Sequence, residues 1–317
     1  MFCVGGGLFF LTWSFMLERR PLAVYHFYSQ IIMFTFDYEA MNTKLDLLIC
    51  GGDSDYARSA AYECYERLSN LESLLSMYRE GSDINMVNTS PVGTVTVLSE
   101  FACDCLLQAF AVSAITGGAV DVCLGKYFAG RKEGVEVPAL ERGMFEFDPD
   151  SYCIKKTSEG WIDLGCIGKG FAVDNLIELL RDPWEIQSAF INFGGSSTYA
   201  FGKPEDSDNW KVNLSPEVSI DIPACGLGVG ASGTSVLGEH IVDARTGEVP
   251  KNAPFRTWAF AESAAVADAL STAFMILEKE KIREICAQYP VAAALQPSDG
   301  AEIEFIGKIP DSAAGSR

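Results

Sequence analysis

The stretch from Trp161 to Asp174, Trp-Ile-Asp-Leu-Gly-Cys-Ile-Gly-Lys-Gly-Phe-Ala-Val-Asp, leaves the chain few choices of local structure. A predicted strand ends in it, closely spaced glycines follow, and a predicted helix begins. Gly165, Gly168 and Gly170 remove the Cβ where backbone must bend tightly or approach a ligand. The helix that follows offers unpaired N–H groups and a positive dipole end, and Lys169 adds a mobile cation suited to phosphate. A glycine cluster by itself also fits an ordinary strand-to-helix turn with a surface lysine, so its meaning depends on the rest of the chain.

Around that turn the chain mixes strands and helices without strict alternation. Thr43, Leu45, Leu47 and Ile49 alternate with polar residues, the period of a half-buried strand. Asp53 or Ser54 caps a helix whose Ala57, Ala61, Cys64, Leu68, Leu71 and Leu75 share one face. Ser76 to Asn88 reads as a loop. Ser99 caps a second helix, Glu100 to Ile115, closed by Gly117-Gly118, and Asp121 follows just past it. Gly143 to Trp161 reads as a hairpin turning at Asp148-Pro149-Asp150. A helix from Gly170 to Leu180 precedes a strand at Ala189 to Phe193. Further strands are predicted at Trp210 to Leu214, Gly226 to Ala231, Thr257 to Phe260, Val291 to Leu295 and Ile303 to Ile306. His240 to Gly247 reads as a strand entering a turn, and helices are predicted from Ser263 to Leu277 and from Ile282 to Gln288. This order predicts an α+β fold in preference to a doubly wound sheet.

Charge narrows the function classes. With 24 Lys+Arg against 43 Asp+Glu, a net charge of -19, the chain lacks the basic face that nucleic acid requires. A phosphate-bearing ligand would need local cations or a metal. Ten cysteines are scattered without C-x-x-C pairs or zinc-spaced histidines, which predicts free thiols in a reducing compartment and a cytoplasmic location. Residues 1–32 are set apart as an N-terminal extension, with a domain at 33–310 and a tail at 311–317. The apolar run Val4 to Leu17 is short for a membrane span, and Arg19-Arg20 follow it where a signal peptide has its charges first. A weak anchor with membrane association or export, a partner-covered arm and an artefactual extension all fit; the last is preferred.

Asp268 is the charge that stands out. It lies mid-helix among uncharged residues between Ser263 and Leu277, and a buried lone carboxylate needs a proton, a cationic partner or a metal. Thr272, four residues on, shares its helical face. Two oxygen donors one turn apart, with positions left for water and phosphate oxygens, suit Mg²⁺. The plain alternative has Asp268 facing solvent and Thr272 packed.

The turn resembles the D-L-G-G-I-A-K-G-Y-A-V-D signature of the ApbE-type FAD:protein FMN transferases, differing at Cys166, Gly168 and Phe171. Other matches follow in family order. Ala40-Met41-Asn42-Thr43 is similar to A-M-G-T, and Leu75-Ser76-Met77-Tyr78 through Ser82-Asp83-Ile84 to Asn88 to L-S-x-Y…S-E-I-x-x-L-N. Gly118-Ala119-Val120-Asp121 is similar to G-A-F-D, Ile191 to Gly195 to I-N-x-G-G, His240 to Gly247 to H-I-I-D-P-R-T-G, and Asp268 to Thr272 to D-A-L-A-T. The resemblance runs from Ala40 to Gln296.

It implies a T-fold-like, two-lobed α+β architecture with FAD in the cleft between lobes, and Mg²⁺-dependent transfer of FMN from FAD to a Ser/Thr hydroxyl of a target protein, with AMP leaving. It further implies that Asp268, Thr272 and the backbone carbonyl of Cys166 hold Mg²⁺. Met41, Tyr78, Ala119, Val120, Asp121, Asp163, Lys169 and Ile241 would line the FAD site, and His240 would take the proton from the acceptor hydroxyl. Splitting a pyrophosphate is largely a matter of positioning and neutralising phosphoryl charge, which is the use of a metal and a lysine. Tyr78 offers a ring on which a flat ligand can stack.

Several positions depart from the family pattern: Val122-Cys123 where Pro-Thr is usual, Ser196 and Thr234 where aspartates are expected, and a short link from Asp121 to Trp161 that lacks an expected helix. Two rival functions follow, an FAD pyrophosphatase releasing FMN and AMP to water, and a non-catalytic FAD-binding protein.

Overall fold

The computed structural model describes residues 24–25, 33–132, 140, 142–204, 207–234 and 241–310. Fourteen strands are present among them: β1 (Val24–Tyr25), β2 (Met33–Ala40), β3 (Thr43–Cys50), β4 (Val95–Val97), β5 (Phe145–Asp148), β6 (Cys153–Lys156) and β7 (Ser188–Phe193), then β8 (Ser197–Phe201), β9 (Trp210–Asn213), β10 (Ser219–Ile222), β11 (Leu227–Gly233), β12 (Arg256–Ala261), β13 (Ala292–Gln296) and β14 (Glu304–Ile306). The helices are α1 (Ser54–Leu75), α2 (Asp83–Thr89), α3 (Glu100–Ile115), α4 (Gly125–Lys132), α5 (Gly168–Arg181), α6 (Ala264–Phe274) and α7 (Lys279–Gln288). The α+β expectation holds.

Nine strands form one antiparallel sheet in the order β1-β2-β3-β7-β8-β11-β12-β13-β14. Leu45, Leu47 and Ile49 of β3 turn into the helix-side core with the inner faces of α1, α3, α5 and α6. The other face carries Leu227, Val229, Trp258 and Phe260 under the β9–β10 ribbon, whose Trp210, Ile220 and Ile222 close a second core. Of β11 and β12, only β12 carries apolar side chains on both sides, Ala259 and Ala261 toward the helices and Trp258 and Phe260 toward the ribbon. A small sheet of order β4-β6-β5 packs on α3, where Phe110 and Phe147 meet edge to face at 5.5 Å.

Four local readings need correction. The strand expected to lead into the glycine turn is absent: residues 157–164 form no strand, and Ile162 and Asp163 are held instead by Asn88 and the Val122 carbonyl. Ile84 to Asn88, expected as loop, lies in α2, whose start Ser82 caps through Asn85 N–H; seven residues are too few to display a helical period. The link after Asp121 does contain helix, a 3₁₀ turn at Val122–Leu124 running into α4. Ile241 to Asp243 forms no strand, although the turn that follows is present, with Gly247 N–H donating to Asp243 at 2.8 Å. Strand β8 escaped prediction because all five of its positions are buried, which erases alternation. All the described cysteines are free thiols. Among the described residues no helix is long and apolar enough to cross a membrane; Val4 to Leu17 and the tail at 311–317 lie outside them.

Candidate functional site

Helix α6 is seated by glycines and by a borrowed cap. Gly228 and Gly230, on the helix-facing side of β11, have no side chain, and a Cβ on Gly230 would stand 2.0 Å from the Ala267 carbonyl oxygen. A Cβ on Gly170 of α5 would stand 2.3 Å from the Ala264 carbonyl oxygen. Asp174, one turn further along α5, reaches across to the start of α6 and accepts from Ala264 N–H at 2.7 Å, Ala265 N–H at 2.9 Å and the Ser263 hydroxyl at 2.6 Å. The glycines therefore serve contact between elements. Gly165, Gly168 and Gly170 are not at positive φ, so no left-handed turn requires them.

This seating brings the predicted pair together. Lys169 Nζ lies 3.5 Å from Asp268 Oδ2, and Gly170 N–H donates to the same oxygen at 3.1 Å. Asp268 is 3% exposed, so the solvent-facing alternative is excluded. Burial pushes its carboxyl above the ordinary carboxylate value, against the pull of the Lys169 ammonium and the Gly170 N–H. Thr272 Oγ1 stands 3.2 Å from Ser232 Oγ, which also meets Ser271 Oγ at 2.9 Å. Ser197 on β8 is fully buried and faces the Asp268 carboxylate closely enough to favour its ionised form. It nevertheless makes no hydrogen bond of normal geometry, the only buried side-chain polar atom among the described residues without one.

The oxygen-rich surroundings of Asp268 fit a hard divalent cation. The Cys166 thiol, pushed up to about 12 by burial first and by Asp163 and Asp268 next, stays protonated near neutrality. A protonated thiol is a poor ligand, so at this position the backbone carbonyl is the donor available to such an ion.

Backbone hydrogen bonds gather the other predicted residues. Asp163 N–H donates to the Val122 carbonyl at 2.8 Å, Gly125 N–H to Trp161 at 2.8 Å, and Ala244 N–H to Ala119 at 3.0 Å. Asn88 clamps the approach to the turn through both Ile162 backbone groups, at 2.9 and 2.7 Å. Ala119, Val120, Asp121, Asp163 and Ala244 are thus gathered in one place, with Asp121 held by Arg142 at 2.9 Å, and Ile241, three residues before Ala244, is buried. An open cavity of about 550 Å³ beside it is lined by Gly118, Arg142, Ala244 and Arg245 among others.

Met41 and Asn42 form the two-residue turn between β2 and β3, both at positive φ (48° and 59°). Asn tolerates that conformation as glycine does, which explains Asn42 in place of the family glycine. Met41 is held by its N–H to Glu72 Oε1 at 2.8 Å. Gly194, at the β7–β8 turn, donates to the Lys44 carbonyl at 2.8 Å, placing both turns at one end of the sheet. Tyr78, just past α1, is 60% exposed. His240 lies outside the described residues.

The ApbE family model matches residues 41–295, most of the chain. The chain belongs to the ApbE family. A relative from Escherichia coli (strain K12) named FAD:protein FMN transferase is 22% identical over 298 residues, covering 83% of each chain. Among solved structures, the apo flavinyl transferase ApbE of Pseudomonas stutzeri aligns with a TM-score of 0.76 at 22% identity, over 89% of this chain and 97% of that one. Flavin Transferase ApbE from Vibrio cholerae aligns with a TM-score of 0.73 at 18% identity, over 89% and 98%. These structural likenesses establish a shared ApbE fold.

Within that fold, sequence reasoning overlooked three side chains of this site. Asp174 ends the glycine motif, but its cap on a helix ninety residues away leaves no local signature. Ser197 lies in β8, which escaped prediction, and Ser232 lies just past the end of the strand expected at Gly226 to Ala231. Only their position beneath α6 marks them.

Proposed function

We propose that this chain transfers FMN from FAD to a target protein, with a serine or threonine hydroxyl as the acceptor and Mg²⁺ held at Asp268, Thr272 and the Cys166 carbonyl. The observation that carries the reading is the meeting of Lys169, the Gly170 N–H in the first turn of α5 and the buried Asp268 in one place. A helix N-terminus with a lysine is an anion seat, and a carboxylate set into it makes sense when a cation and a diphosphate share the site.

The acceptor oxygen attacks the FMN phosphorus, a new P–O bond forms, and the bond from that phosphorus to the bridging oxygen breaks, so that AMP leaves. Bound Mg²⁺ would neutralise charge on the phosphoryl oxygens. Lys169 and the α5 amides orient the diphosphate, and Ala119, Val120, Asp121, Asp163 and Ile241 form the wall along which FAD lies. Met41 and Tyr78 complete the FAD-lining set, Tyr78 by stacking on a flat ring. His240 takes the acceptor proton, its ordinary pKa being near working pH.

Incubation with FAD, Mg²⁺ and an acceptor protein tests this. Covalent flavin fluorescence on a denaturing gel supports transfer; free FMN indicates the pyrophosphatase, and intact bound FAD the binding protein. If His240→Ala transfers flavin at the wild-type rate, the base assignment is wrong.

A further inference from the structure

Two serines of the sheet lie beneath the proposed cation site. β8 and β11 pair so that Ser197 is opposite Gly230, the residue over which the Ala267–Asp268 backbone rests. Paired residues of antiparallel strands share a face, so Ser197 points to the side occupied by α6. Ser232, two residues beyond Gly230, returns to that same face and bonds Ser271 and Thr272. A buried hydroxyl with no partner is rare in proteins and usually marks a functional constraint or an absent group. An alanine or valine at position 197 would fill the same space without that cost.

We infer that Ser197 and Ser232 are positioning residues for the cation-binding side chains, Ser197 for the Asp268 carboxylate and Ser232 for the Thr272 hydroxyl. This rests on the Mg²⁺ reading above. The two donors on Asp268 Oδ2, Lys169 and Gly170 N–H, both come from α5. Ser197 offers its unpaired hydroxyl from the opposite side, on the sheet, and a hydrogen bond taken up there restrains the carboxylate's rotation when a cation draws on it. Ser232 holds Thr272 Oγ1 in the rotamer that faces the sheet side of the site. Such outer partners orient ligands, and their removal commonly costs about 10–100-fold in metal affinity.

The experiment is Mn²⁺ binding to the full chain freed of flavin, followed by the electron paramagnetic resonance signal of free Mn²⁺. Wild type, Asp268→Ala, Ser197→Ala, Ser232→Ala and Ser232→Thr are compared. The expected result is binding by wild type, loss in Asp268→Ala, and affinity about 10-fold weaker in each serine-to-alanine protein, with Ser232→Thr close to wild type. In turnover, the Mg²⁺ needed for half-maximal rate should rise in the alanine variants while the KM for FAD holds. Wild-type Mn²⁺ affinity in both alanine variants overturns the inference and leaves the Mg²⁺ reading intact. Failure of the wild-type chain to bind Mn²⁺, or binding unchanged in Asp268→Ala, overturns both.

Discussion

At the scale of single residues, Asp268 sets function against stability. Its carboxylate is buried, its one cationic neighbour among the described residues is a partly exposed lysine at 3.5 Å, and desolvation opposes its ionised form. Asp268→Asn keeps the size and still accepts from Gly170 N–H, while shedding the charge. Thermal denaturation of this variant should show stability equal to or above wild type, and its Mg²⁺-dependent flavin transfer should fall by at least about 100-fold. A variant that is active and less stable would mean that Asp268 is there for the fold. Opposing effects on activity and stability are common where a site holds a strained or unsatisfied group.

At the scale of elements, the contact between α5 and α6 decides whether there is a site at all. Gly170→Ala pushes a methyl group into the Ala264 carbonyl, which lies 2.3 Å from the added Cβ, and the facing atoms are backbone and cannot swing away. Overpacking of this kind costs about 1–3 kcal/mol or more, read as a lowered denaturation midpoint, and flavin transfer should fall with it as Asp268 moves off Lys169. Asp174→Ala strands two helix N–H groups, leaves the Ser263 hydroxyl only its longer bond to Gln108, and should cost about 1–3 kcal/mol. Burial raises the Asp174 carboxyl above its unfolded value of 3.8, against the donors that favour its charge. Between the two values the native state binds more protons than the unfolded chain, so this group's contribution to stability is lost as pH rises through that window and is level above it. Urea unfolding as a function of pH should therefore show wild type losing ground to Asp174→Asn across that interval; parallel curves would contradict the assignment.

At the scale of the whole molecule, the sheet brings distant turns to one end, where the proposed FAD site lies. The β2–β3 turn, the β7–β8 turn and the end of β11 belong to one antiparallel array, and Ala244 is bonded to Ala119. A ligand spanning these should stabilise the fold as a unit, by about 2.7 kcal/mol at a concentration 100 times its Kd. Differential scanning fluorimetry should register an upward shift with FAD and Mg²⁺ together in wild type and a much smaller one in Lys169→Ala. An equal shift in both would remove Lys169 from the FAD site.

Much of this was legible in the chain because its signals are local. Helix caps at Asp53 and Ser99, the alternation of β3 and the order of seven short motifs are read within a few residues of themselves. The lone charge at Asp268 announced that something must compensate it, since a buried carboxylate without a partner is too costly to keep. What the sequence by itself determined was therefore the class of fold, the family and the residue types that a diphosphate and a cation would need. Only the tertiary structure decided that Gly170 and Gly230 are bare so that α6 can rest on α5 and β11, that Asp174 caps a helix far along the chain, and that Ser197 and Ser232 lie under Asp268 and Thr272. Those facts depend on which surfaces touch, and close approach between elements distant in sequence leaves no period or spacing along the chain from which to read it.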